Sequence, residues 1–336
     1  MNKKLWRNAS LFVIVTVGVT IALGPRPADV DLNTKLPIIS SATPKQLEDE
    51  ITGNEAKNKD IKPDNSSSIY WFDSSTKQKT PYAIVYLHGF SAGNKEGNPV
   101  AWDIAKKFGC NLYLPRLHAH GLNTKEPMLE YSEIAYLESA KKAVAEAYNL
   151  GNKVIIMGTS TGCTLALYIA SGNPDIAGLI MYSPNIELFD KRSFILSMPW
   201  GLQVARTIAG GKYYSFQAPD VAKQYWTTKY RIEAILRMKN LLDETMTQET
   251  FNKIHQPSLL CYYYKNEKEQ DQVVSVPAML KMYDQLGTQE PLKRKVAIPS
   301  AGQHAIASNL WCKDIPAVEE ASSNFMKEIM QINSIE

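Results

Sequence analysis

A serine flanked by glycines, an acid and a histidine, each just beyond an apolar run, are the groups in this sequence suited to nucleophilic chemistry. The serine lies in Gly158-Thr159-Ser160-Thr161-Gly162, between the β-branched run 154–157 and a second run carrying Cys163, Leu165, Ala166, Leu167, Ile169 and Ala170. The first run reads as a buried strand and the second as a helix of small and apolar residues. A strand that turns this abruptly into a helix strains its central residue, and glycines two before and two after let chains pass closely. The hydroxyl is then pushed outward beside the first amides of the helix, whose dipole suits an oxyanion. Taken alone the pentapeptide is common in turns; the strand–turn–helix setting is what gives it weight.

The remaining parts of such a site also follow predicted strands. After the strand 82–87, His88-Gly89-Phe90-Ser91 forms a loop able to present the Phe90 N–H as one oxyanion donor, with the Thr161 amide as the other. His88 is expected to shape that loop rather than move a proton. Asp271, after the strand 258–264, is placed to orient an imidazole, with Glu267 and Glu269 as weaker competitors in the same charged stretch. His304 follows the last strand in a loop of small residues and is the only histidine after the acid. His118 and His120 have a spacing that suggests zinc, but no third ligand is evident and no metal or cofactor is expected. His255 precedes a strand, at the opposite sheet edge, and reads as structural.

Strands at 82–87, 111–114, 154–157, 176–182, 258–264 and 293–298 alternate with helices at 100–108, 131–148, 161–171, 276–286 and 318–332. That alternation predicts an α/β fold, a mostly parallel sheet with helices on both faces and active groups at the carboxyl ends of its strands. Residues 70–184 and 257–336 form the two parts of this core. Between them, 185–256 shows no convincing strand and many large residues, with a helix suggested at 221–240, and reads as a helical cap. Its aromatic and methionine side chains serve either the cap's own core or an apolar acyl or aromatic group. Residues 28–69, rich in Pro, Asp, Lys, Asn and Ser, read as a linker.

The chain has 336 residues, 44% hydrophobic and 21% charged, with a net charge of +3. This describes a globular protein without the basic stripe that nucleic acid requires. Within residues 1–27, Lys3, Lys4 and Arg7 precede the uncharged run 11–23, the pattern of an export signal or an N-terminal membrane anchor. The body is therefore expected outside the cytoplasm, anchored if the run is retained, periplasmic or secreted if it is cut. Cys110, Cys163, Cys261 and Cys312 show no metal or paired spacing, and Asn65-Ser66-Ser67 fits a glycosylation sequon.

The sequence resembles the serine α/β-hydrolases of the monoacylglycerol-lipase and carboxylesterase type. The resemblance is carried by residues 87–90, 115–121, 158–162, 271–274 and 302–304 and spans about residues 70–332. It implies an α/β-hydrolase fold in which Ser160, Asp271 and His304 act as nucleophile, acid and base in that chain order. It also implies hydrolysis of a carboxylic ester, of short or medium acyl length or monoacylglycerol-like, with no cofactor. Two features depart from the family pattern: Thr159 stands where relatives often have histidine, and Gln303 separates Gly302 from His304. Relatives of the fold also cleave peptides from an N-terminus, in which case Glu187, Asp190, Asp220 or Glu233 of the cap could hold the amine. A catalytically silent binding protein is the third reading, disfavoured by an apparently complete triad.

Overall fold

The computed structural model describes residues 23–40 and 43–335. Seven strands form one sheet: β1 (Ser68–Tyr70), β2 (Thr80–Leu87), β3 (Asn111–Leu114), β4 (Gly151–Thr159), β5 (Gly178–Tyr182), β8 (Ser258–Tyr262) and β9 (Lys293–Ala297). Their order is β1-β3-β2-β4-β5-β8-β9, parallel throughout except for the antiparallel edge strand β1. This is the mostly parallel α/β sheet expected from the alternation of elements, and it agrees with the α/β-hydrolase fold that the resemblance implies.

Register matters most for function. Leu87 of β2 pairs with Gly158 of β4, Thr159 with Tyr182 of β5, Tyr182 with Cys261 of β8, and Tyr262 with Ala297 of β9. The carboxyl ends of five parallel strands are therefore level, and the loops bearing His88, Ser160, Asn185, Asp271 and His304 all leave from one edge.

Alternate side chains of the strands enter two cores. Ala83, Val85, Val154, Ile156, Leu179 and Met181 pack under α3 (Glu133–Ala147), α4 (Thr161–Ser171) and α9 (Val276–Gln285). Ile84, Tyr86, Ile155, Met157, Ile180 and Tyr182 pack under α2 (Val100–Lys107) and α10 (Ile315–Asn324). Strands buried on both faces explain the continuous apolar runs of the sequence. All four cysteines are free and buried.

Two expectations require correction. The stretch 28–69 is not a simple linker: it contains α1 (Pro44–Glu55), begun by a capping box between Thr43 and Gln46. Leu47 and Ile51 of α1 are buried, each worth about 2 kcal/mol. Ahead of α1 the chain is strapped down by its carbonyls, Pro25 accepting from the Trp200 N–H (2.8 Å) and Leu32 from the Tyr168 hydroxyl (3.0 Å). Its polar composition misled because the body satisfies its side chains as well as its backbone, Asn33 accepting from Lys141, Glu48 from Trp71 and Glu55 from Arg116. Asn65 of the sequon is buried, its amide donating to the Pro63 and Gln224 carbonyls.

The insertion between β5 and β8 is also not purely helical. It runs through α5 (Gly201–Ile208), β6 (Tyr213–Ser215), α6 (Asp220–Tyr225), β7 (Lys229–Arg231), α7 (Ile232–Thr245) and α8 (Gln248–Asn252). The helix expected over 221–240 breaks because Trp226 turns inward onto Trp311, and the following residues pair as β7 with β6. Thr228 and Tyr230 favour extended backbone, a local preference that the apolar periodicity had masked. The apolar N-terminal run lies outside the described residues except for Leu23. Among the described residues no helix is long and apolar enough to cross a membrane.

Candidate active site

Between the end of β4 at Thr159 and the start of α4 at Thr161, Ser160 stands alone at the turn with φ 56° and ψ −123°. Such a conformation costs a non-glycine residue about 1–3 kcal/mol and must be held by its surroundings. The Ser160 N–H donates to the Tyr182 carbonyl (3.0 Å), and its own carbonyl accepts from the N–H groups of Cys163 (2.9 Å) and Asn185 (3.1 Å). Asn185 then clasps the start of α4: its amide donates to the Thr161 hydroxyl (3.1 Å), and its carbonyl accepts from the Thr164 hydroxyl (2.6 Å). The motif glycines have a steric role, since a Cβ on Gly162 would lie 1.9 Å from the Leu87 carbonyl oxygen and one on Gly158 3.0 Å from it.

Asp271 and His304 come together from two loops at the same edge. The Nδ1–H of His304 donates to Asp271 Oδ2 at 2.6 Å, while Asp271 Oδ1 accepts from the N–H groups of Val273 (2.8 Å) and Val274 (3.1 Å). Asp271 is fully buried, and the His304 side chain is 15% exposed. Burial works against a charged imidazole, but the Asp271 carboxylate and, more weakly, that of Glu96 outweigh it and hold His304 above its ordinary pKa. His304 Nε2 is buried without a hydrogen-bond partner among the described residues, and no bond links it to Ser160. The competing acids point elsewhere: Glu269 pairs with Lys265 (2.9 Å), and Glu267 accepts from the Tyr264 hydroxyl (3.0 Å).

The loop after β2 is anchored by its own side chains. His88 is buried, its Nε2 accepting from the Leu117 N–H (3.1 Å) and its Nδ1 donating to the Gly89 carbonyl (3.0 Å). Burial brings its pKa down to about 4, so it is a neutral brace at physiological pH. The Phe90 ring meets Tyr131 and the insertion's Tyr230 edge-on, both at 5.3 Å, which fixes the backbone from which its N–H projects. Neither the Phe90 nor the Thr161 N–H donates to a protein acceptor among the described residues.

Other histidines have separate partners. His118 Nε2 bonds to the Glu130 carbonyl (3.0 Å), whereas buried His120 bonds through Nδ1 to the His118 carbonyl (2.7 Å) and stacks on Tyr136. His255 bonds to the Gly287 carbonyl (3.0 Å), before β8. No group of three or more metal-ligating side chains occurs among the described residues.

Three residues at this edge had no signal in the sequence. Asn185 sits in an ordinary polar turn, and only its two-sided hydrogen bonding marks it. Trp226 packs against Trp311, with ring centres 5.7 Å apart, in a cluster with Ala92 of the loop after β2 and Ala305 beside His304. Glu96, from an apparently solvated stretch, is 2% exposed and accepts the Gly89 N–H at 2.6 Å.

Comparison with known proteins bears on the family and the fold. The family described as "Alpha/beta hydrolase family" matches residues 84–309. A curated thermostable monoacylglycerol lipase from Bacillus sp. is 28% identical over 108 residues, 32% of this chain and 42% of that lipase. Among solved structures, the metagenome-derived lipolytic enzymes LipS and LipT are similar with a TM-score of 0.64 at 15% identity, over 80% of this chain and 99% of that one. A monoacylglycerol lipase from Paleococcus ferrophilus gives a TM-score of 0.55 at 13% identity, over 76% and 98%. Est1E from Butyrivibrio proteoclasticus, with ferulic acid bound, gives 0.54 at 17% identity, over 79% and 95%. At these identities the solved structures speak for the fold.

Proposed function

The chain belongs to the alpha/beta hydrolase family, and from that premise we propose that it is a serine hydrolase of carboxylic esters. The observation that carries the reading is the 2.6 Å bond between His304 Nδ1 and Asp271, which leaves Nε2 of the same ring without a partner at the edge where Ser160 is held in a strained turn. In this mechanism Nε2 takes the Ser160 proton as Oγ attacks the ester carbonyl. Asp271 keeps the other ring nitrogen protonated and stabilises the imidazolium. The amides of Phe90 and Thr161 receive the oxyanion, the latter aided by the α4 dipole. Collapse expels the alcohol with the proton from His304, and water activated by the same ring releases the acid.

The likeness to a monoacylglycerol lipase, over 42% of that protein's length, supports an acyl ester of a small alcohol as substrate. A peptidase reading has less support, because three of the four acids considered for binding an amine are already paired. Asp190 meets Arg192 (2.7 Å), Asp220 meets Lys223 (2.6 Å), and Glu233 meets Arg206 (2.5 Å). For residues 1–27 we propose export and membrane attachment. Fractionation of the full chain beside one lacking those residues tests this, and equal recovery in the soluble cytoplasmic fraction would refute it.

The function is tested by comparing the wild type with Ser160→Ala across p-nitrophenyl esters of increasing acyl length. Turnover in the wild type and a fall of at least ~10³-fold in the variant are expected. Equal inertness would move the search to peptides or to a silent binding protein, and equal activity would remove Ser160 as the nucleophile.

A further inference from the structure

A carboxylate in Ser91-Ala92-Gly93-Asn94-Lys95-Glu96-Gly97 is expected in solvent, yet Glu96 is buried at the centre of the site. Its Oε2 accepts from the Gly89 N–H (2.6 Å) and from the Tyr86 hydroxyl (3.3 Å), and that hydroxyl also bonds to Thr159 Oγ1 (2.8 Å). A Cβ on Gly89 would stand 3.0 Å from Glu96 Oε1 and 3.0 Å from Ser160 Cβ, so the carboxylate and the serine side chain both crowd the space beside that glycine. Just beyond Glu96, the Asn98 carbonyl accepts from the Asn309 N–H (3.0 Å), and Pro99 bridges to Ser308, which ties this stretch to the loop of His304. One side chain thus touches the oxyanion loop and reaches the serine turn through Tyr86, while its own segment is pinned to the loop of the base.

A buried acid so placed has a cost that a merely structural amide acceptor would avoid. We infer that Glu96 is a positioning residue of the active site, which clamps the Gly89 amide and so aims the neighbouring Phe90 N–H at the Ser160 turn. The inference rests on Ser160 being the nucleophile. It also gives Thr159 a purpose: its hydroxyl bonds to that of Tyr86 and so joins the serine turn to the Tyr86–Glu96 pair.

The ionisable groups around Glu96 are the Tyr86 hydroxyl on β2, the Tyr136 hydroxyl on α3, the Cys163 thiol on α4 and His304. Burial pushes the hydroxyls and thiol up, leaving them neutral, so His304 is the partner that can respond to the charge of Glu96. Burial also raises the Glu96 carboxyl to about 7, against the Gly89 amide and His304, which both favour its ionised form. Where Glu96 is ionised its charge favours the imidazolium of His304, so its removal is expected to move the acid limb of kcat/KM to lower pH.

The test compares full-length wild type, Glu96→Gln and Glu96→Ala in detergent. It reads the rate of serine labelling by a fluorophosphonate, kcat and KM on a p-nitrophenyl ester against pH, and thermal unfolding. Glu96→Gln is expected to fold, to lose about tenfold in kcat and labelling with KM little changed, and to shift the acid limb downward. Glu96→Ala, without any acceptor for the Gly89 amide, is expected to lose ~10²-fold, the scale of a small misplacement of catalytic groups. Wild-type kcat and an unmoved limb in Glu96→Gln would overturn the inference, as would a defect confined to unfolding or a failure of that variant to fold. Labelling without ester turnover in the wild type would sink the ester reading, while the labelling ratios still judged Glu96. A wild type that did not label would sink both.

Discussion

The edge carrying Ser160, Asp271 and His304 and the insertion lying against it share one apolar core but differ in how their polar groups are paired. At the edge, the polar contacts are buried: Asp271 is fully buried with acceptors turned to Val273, Val274 and His304, and the Ser160 carbonyl takes the amides of Cys163, Asn185 and Thr164. The insertion sends Tyr230, Met238, Leu241 and Leu242 into the main core and adds to that packing a charged clasp. Glu126 of the core meets Arg231 (2.6 Å), Lys212 (3.0 Å) and the Tyr213 hydroxyl (2.9 Å), and Arg231 also pairs with Glu233. Hydrogen bonds to Arg231, Lys212 and Tyr213 bring the Glu126 carboxyl down to about 2 although it is exposed. An unpaired group in the first region leaves an unsatisfied charge in a dry setting, whereas in the second water takes its place. The difference teaches that the polar contacts of the edge are closed off from water, whereas those that clasp the insertion stay partly open to it.

The largest effect that would break this comparison is chemical. Asp271→Asn should fold, because its oxygen still serves the loop amides, yet lose ~10⁴-fold in kcat as His304 settles in the wrong tautomer. In the wild type, kcat/KM should rise through a pKa above the ordinary histidine value. Below that pKa His304 is protonated and cannot accept the serine proton. In Asp271→Asn the limb should move to lower pH, and a variant with normal kcat would dissociate the pair from catalysis.

Next in size is a steric test of the edge. Gly162→Ala gains about 1 kcal/mol of helix propensity. It also drives a methyl to 1.9 Å from the Leu87 oxygen. Overpacking of that kind costs up to about 3 kcal/mol, so a clear drop in the unfolding midpoint is expected. A variant as stable as the wild type would mean that β2 and α4 separate easily.

The smallest effect is expected in the insertion. Arg231→Met removes the link to Glu126 and Glu233 and should raise KM about threefold with kcat unchanged. It should also flatten the salt dependence of KM, since the Glu126 end of this clasp is partly exposed and open to screening. A fall in kcat instead would show that the insertion helps set the reaction geometry.

These contrasts explain what could be read in advance. The strand at 111–114 and the helix at 161–171 coincide with observed elements because both are local patterns of apolar residues between turn signals. Asp271 could be chosen over Glu269 only by its place before two apolar residues that start toward a helix, and its Val273 and Val274 amide contacts give that placement a physical cause. The helix expected at 221–240 failed because Trp226 is drawn off its course by Trp311, 85 residues later in a chain whose pairing no local window contains. Glu96 was invisible for the opposite reason. Its neighbours are polar, and nothing local shows that a stretch with glycine, asparagine and lysine is folded under the oxyanion loop.

By itself, then, the sequence determined the alternation of strands and helices, the serine between its glycines and the order of acid and base, because each depends on near neighbours and on apolar periods. Tertiary structure alone decided that five strand ends are level, that Asp271 reaches His304 from another loop, and that Glu96 is buried beside both Gly89 and the turn of Ser160. Those outcomes are set by register across the sheet and by burial, which are sums over residues far apart in the chain.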